Sequence, residues 1–156
     1  MATYTINNVG TAGHPASAPT LRIVDVVVDF DSTTNVSGDV FECLSLPANT
    51  YVITAGVDVL TADGAGNSGT ISLGDGADVD RYISAAVPGS STMTIRAQAG
   101  AGSMGTTSIG FGIYVSADTI DVVVGTGALN GKYRVWAMTA DFGGQGNAEA
   151  QIVTFA

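Results

Sequence analysis

The chain has 156 residues, the size of one domain, with 46% apolar and only 12% charged residues and a formal net charge of −9. The acid excess, with five scattered cations (Arg22, Arg81, Arg96, Lys132 and Arg134), excludes nucleic acid as the partner, because phosphate binding needs clustered Lys and Arg. Two Glu (Glu42 and Glu149) and a single Lys leave little material for solvated amphipathic helices, whereas abundant Val, Ile, Thr, Gly and Asp suit strands and turns.

Residues 1–20 carry Asn7, Asn8, Gly10, Gly13, His14-Pro15 and Ala18-Pro19, which break every period. They read as an extended N-terminal arm, free or laid over a neighbouring subunit, ahead of a β domain over residues 21–156. Met1 to Ile6 contain neither a basic nor an apolar region, so no signal peptide is expected, and no apolar run approaches the length of a membrane span.

From Leu21 to Phe30, β-branched residues punctuated by Arg22, Asp25 and Asp29 predict a strand with two partly apolar faces. Residues 31–38 form a polar turn. Val40–Leu46 is a second strand ending at the turn signal Pro47-Ala48-Asn49, and Tyr51–Leu60 a third, in which Val57-Asp58-Val59 alternates. A glycine-rich loop at 63–69 leads to a short strand at Thr70–Leu73 and the turn Gly74-Asp75-Gly76. Residues 78–86 read as a helical turn or an irregular stretch closed by Pro88-Gly89.

Met93–Ala97, Ile109–Val115 and Ile120–Val124 follow as strands. Asn130-Gly131 suits the positive φ of a tight hairpin. Lys132–Thr139 alternates, with Tyr133, Val135, Ala137 and Thr139 on one face and Lys132, Arg134 and Trp136 on the other; Ala150–Phe155 closes the series. Eight or nine short strands divided by regular turn signals predict an all-β fold, a jelly-roll-like or Greek-key β-sandwich of about eight strands.

Catalytic groups are scarce. The one histidine, His14, sits before a proline in the arm, and a nucleophilic triad needs a positioned base. The lone Cys43 permits no intramolecular disulfide, suits folding in a reducing cytoplasm, and reads as a small buried hydrophobe. One His and one Cys cannot supply a zinc site, and no phosphate-cradling glycine motif occurs. No enzymatic activity and no cofactor are therefore expected. Asp75, Asp78 and Asp80 could present oxygens to calcium, but they lack the spacing of a helix-loop-helix calcium loop. The competing reading is a tight turn in which Asp side chains accept backbone N–H bonds and Arg81 pairs with one of them.

A surface so poor in charge is open to association, so the chain reads as a component made to be covered by partners, against the plainer alternative of an unusually neutral monomer. Trp136, alternating with cations, is either core or interface. Its ring also leaves open a glycan platform.

The run Val40-Phe41-Glu42-Cys43-Leu44-Ser45-Leu46-Pro47-Ala48-Asn49-Thr50-Tyr51-Val52-Ile53 resembles a phrase of small tailed-phage virion proteins, a strand entering Leu-Pro-Ala-Gly-Thr and then a second apolar strand. Thr70 to Ile83, with Gly74-Asp75-Gly76 and Asp80-Arg81-Tyr82, is similar to a companion phrase, and Gly131 to Phe142 to the last core strands of such proteins. Asn49 departs from the usual glycine, and residues 1–20 match nothing in the pattern. The resemblance implies a head decoration (cement) protein: a jelly-roll-like domain, a homo-oligomer and often a trimer, bound to the major capsid protein on the capsid exterior and assembled in the host cytoplasm. Tail- or fibre-associated proteins, including glycan- or host-recognition modules, share the vocabulary. On this reading Tyr4, Ile6 and His14 of the arm, with Arg134 and Trp136, are the candidate capsid- or subunit-contact residues.

Overall fold

The computed structural model describes residues 20–62, 69–88, 94–96 and 113–141. Within them lie nine strands and no helix: β1 (Thr20–Asp29), β2 (Val40–Leu46), β3 (Thr50–Thr61), β4 (Ile71–Gly74), β5 (Ile83–Ala86), β6 (Thr94–Arg96), β7 (Ile113–Tyr114), β8 (Asp118–Val124) and β9 (Lys132–Asp141). Residues 1–19 of the arm and the strand expected at 150–155 fall outside the described residues, as do residues 109–112 of the one expected at 109–115, while Thr20 belongs to β1.

Pairing is antiparallel throughout and nested. β1 pairs with β9, β2 with β8, β3 with β6 and β7, and β4 with β5. The chain is thus one long two-stranded ribbon doubled back at the β4–β5 connection. Rolling that ribbon up brings β9 beside β3 and β8 beside β4. The result is an upper sheet ordered β1-β9-β3-β6, with β7 on the β3 edge, and a lower sheet ordered β2-β8-β4-β5. This is the strand order of a jelly roll, which decides between the two topologies the sequence left open.

The core lies between the sheets and follows period-2 alternation. Tyr133, Val135 and Ala137 of β9 are fully buried, as are Val52, Ala55 and Val57 of β3, Ile71 and Leu73 of β4, and Ile120, Val122 and Val124 of β8. Fully burying one Val, Leu or Ile side chain stabilises by roughly 1.5–3 kcal/mol, so this layer is the main favourable term in folding. Phe30 caps it at one end, edge-on to Phe41 and Tyr133 at 5.0 and 5.5 Å. A bulge at Cys43 lets Phe41 and Leu44 both point inward.

Two expectations need correction. Residues 125–131 do not make a hairpin: β8 and β9 belong to different sheets, and this segment crosses between them. Gly131 does adopt φ +89°, and a Cβ there would collide with the Thr61 carbonyl. Asn35 ties the crossover down, donating to the Leu129 carbonyl at 2.8 Å and accepting from its N–H at 2.7 Å. Of the two readings of 78–86, the irregular one fits residues 78–82, but residues 83–86 form β5. The stretch turns over Gly74 and enters β5, because Asp75 holds the turn and Ile83 faces the core.

Candidate functional site

Two regions combine polar or apolar exposure with defined geometry. The first is the Asp75 turn, at the end of β4. Asp75 is 1% exposed. Its Oδ1 accepts the N–H groups of Ala77 at 3.0 Å and Asp78 at 2.8 Å, an Asx turn. A Cβ on Gly74 would run into the Asp78 carbonyl and the Val79 backbone, so the turn folds tightly only because that position lacks one.

Asp75 Oδ2 meets Arg81 Nε at 2.5 Å and accepts the Tyr114 hydroxyl at 2.5 Å. Tyr114 and Tyr82 are joined oxygen to oxygen at 2.5 Å. Tyr114 has one proton and gives it to the carboxylate, so Tyr82 is the donor in that pair. Burial works against the Arg81 charge, but Asp75 together with Tyr114 and Tyr82 outweighs it and raises the guanidinium above its ordinary value. Burial raises the Tyr82 phenol to about 12, and burial with the bond to Asp75 pushes Tyr114 well above the usual tyrosine range.

The network joins the β4–β5 connection of the lower sheet to β7 of the upper sheet. Next to it is an open cleft of about 230 Å³, lined among others by Arg81, Tyr114, Ser116 and Asp118 and rimmed by exposed Ile113 and Val115. Its buried acid and base face each other, and Asp118 Oδ1 accepts the N–H of Thr119. The chemistry it supports is closure of one end of the sandwich.

Asp75 alone follows the turn reading, its side chain accepting backbone N–H groups and pairing with Arg81. Asp78 contributes its N–H to Asp75, and Asp80 accepts the Ser84 hydroxyl at 2.7 Å. Among the described residues no three His, Cys, Asp or Glu side chains are arranged to hold a metal ion. Sequence reasoning missed Tyr82 and Tyr114. Tyr82 had a local signal in following Arg81 directly; Tyr114, thirty-nine positions from Asp75, had none.

The second region is the outer face of the upper sheet. Arg134 and Trp136 lie on it, opposite the fully buried Tyr133, Val135 and Ala137. Trp136 is half-buried, lies across from Gly56 in the register, and donates its indole N–H to Asp58 Oδ1 at 3.3 Å. Arg134 pairs with Asp25 at 3.6 Å and Lys132 with Asp29 at 2.9 Å. The Lys132 hydrogen bond and charge hold the Asp29 carboxyl below its ordinary range, and Asp29 raises Lys132 in turn. Along the β1 side this face becomes apolar: Leu21, Ile23 and Val27 are 67, 68 and 49% exposed. Tyr4, Ile6 and His14 lie outside the described residues.

Cys43 sits half-buried in the β2 bulge, its thiol donating to the Phe41 carbonyl at 3.2 Å. Burial pushes the thiol up to about 11, against thiolate formation at neutral pH.

No family model and no curated protein matches this chain. Solved structures do share its fold. A chain in the structure of the cyanophage Pam1 capsid asymmetric unit superposes with a TM-score of 0.60 at 16% identity, covering 90% of this chain and 98% of that one. A chain in the capsid of Ralstonia phage GP4 gives 0.55 at 17%, over 82% and 88%. One in the acidic stable capsid structure of Helicobacter pylori bacteriophage KHP30 gives 0.54 at 13%, over 77% and 86%.

Proposed function

We propose that this chain is a non-enzymatic structural protein of a bacteriophage virion, which binds the outer surface of the major capsid protein shell and stabilises the head as a homotrimer. The observation that carries the reading is the likeness in fold, over most of both chains, to chains found in three phage capsid structures. The physical chemistry is in keeping with it. The outer face of the upper sheet offers apolar residues at the β1 edge and internally paired charges beside them, a surface with little desolvation cost to cover. The net charge of −9 keeps the protein from competing for packaged DNA. Many copies on one shell turn weak contacts into firm attachment.

The test is co-sedimentation of the purified protein with capsid shells of its phage that lack it, together with light scattering. Binding to shells and a mass of three chains are expected. A compact monomer that sediments with no shell would overturn the reading. Glycan binding that is lost on Trp136→Ala would instead favour a recognition module on a tail or spike.

A further inference from the structure

The cleft beside the Asp75 turn holds a charge that closing the sandwich does not use. Two carboxylates, Asp75 and Asp118, and one guanidinium, Arg81, line it. Arg81 Nε meets Asp75 Oδ2 at 2.5 Å, so that pair is matched within itself. Asp118 opens β8, and its Oδ1 accepts the Thr119 N–H at 2.8 Å. No described cation pairs with either of its oxygens.

The surroundings of Asp118 are shaped for access. A Cβ on Gly76 would stand 3.3 Å from Asp118 Oδ1, so the bare glycine keeps the carboxylate open on that side. On the rim, Ile113 and Val115 are 49 and 76% exposed, which sets apolar surface next to the unmatched charge. The volume of about 230 Å³ falls below the roughly 300–1,000 Å³ of small-molecule sites and suits one long side chain.

We infer that the cleft receives a lysine or arginine side chain of another protein. Its cationic head meets Asp118 Oδ2 and the Ser116 hydroxyl, and its methylene stem lies along Ile113 and Val115. A carboxylate is the poorer occupant, because Arg81 is already committed to Asp75 and Asp118 would repel a further acid. A second copy of this chain is a poor donor too: Arg22, Arg81, Lys132 and Arg134, four of its five cations, each face an acid of their own chain. The net charge of −9 favours a basic partner instead. The partner's identity as the major capsid protein rests on the reading above; the chemistry of the cleft does not.

The test is a titration of the isotope-labelled full chain, read by amide NMR shifts. The probes are n-butylammonium and n-butylguanidinium, which stand for the two side chains, and butyrate as their anionic counterpart. The cations are expected to give saturable shifts centred on Gly76, Ser116 and Thr119, and butyrate none there; the tighter cation identifies lysine or arginine. Asp118→Asn keeps an acceptor for the Thr119 N–H and should weaken cation binding at least about fivefold. Gly76→Leu should weaken it by bulk, with the charge left in place. Cation shifts that do not saturate, that are the same in both variants as in the parent, or that butyrate matches would overturn the inference. In shell co-sedimentation both variants should bind at least about fivefold less than the parent. Shells that take up both variants as well as the parent would sink this inference and leave the capsid reading standing. Saturable cation binding, with no uptake of the parent by shells, would sink the capsid reading and leave the cleft standing.

Discussion

β1 and β9 lie side by side through ten consecutive residue pairs, and their inner faces carry the same kind of residue, yet they meet different fates. Val135 of β9 is fully buried; Val26, its direct partner on β1, is only partly covered. Sequence does not distinguish them. Position does: β9 is flanked by β1 and β3, whereas β1 has β9 alone among the described strands. An apolar strand is finished by its neighbours, and among the described residues β1 has one of the two.

The largest effect is expected away from both strands, where the open end is already closed internally. Arg81→Ala leaves Asp75 buried with its cationic partner removed. Loss of a fully buried partner costs roughly 3–5 kcal/mol; a quarter of the Arg81 side chain is exposed, so about 2–3 kcal/mol is expected by urea unfolding. A change below about 0.5 kcal/mol would mean that the network does not hold the β4–β5 connection to β7.

Next is the comparison itself. Val135→Ala should cost about 2–3 kcal/mol in dilute protein, through lost burial and a cavity between the sheets. Val26→Ala should cost under about 1 kcal/mol there, because less contact is lost. If position in the sheet sets the difference, the Val26→Ala cost grows with assembly while that of Val135→Ala stays constant. Equal costs in dilute protein would break the comparison.

The smallest effect is alkaline. Tyr82 titrates near 10 when unfolded and near 12 when folded, so its contribution is complete below pH 10 and is lost as pH rises through 12. Melting temperature should therefore fall between pH 10 and 12 in the wild type, and fall less steeply in Tyr82→Phe. Identical slopes would remove Tyr82 from the buried network.

Much of the fold was legible. β2 matches its expected bounds, β1, β3, β4, β6 and β8 fall within a few residues of theirs, and the inward set Tyr133, Val135, Ala137 and Thr139 is as alternation requires. These rest on local periodicity, which sequence carries directly. What was not legible is non-local. β5 was hidden because its four residues depend on Asp75 and Ile83 rather than on a pattern of their own. The hairpin at Asn130-Gly131 was misassigned because positive φ serves crossovers as well as tight turns. The Asp75–Arg81 half of the buried network was readable from spacing, and the Tyr114 half was not, since it arrives from the far side of the ribbon. Trp136 was correctly set on the polar face, but its partner Asp58 depends on which strand lies beside β9.

Amide hydrogen exchange, resolved along β1 and β9 in dilute protein and in the assembled state, addresses the central claim most directly. β9 should be protected in both. β1 should exchange faster in dilute protein and gain at least tenfold protection on assembly. β1 exchange that is unchanged by assembly would contradict the account of a β domain whose exposed β1 side is covered by partners.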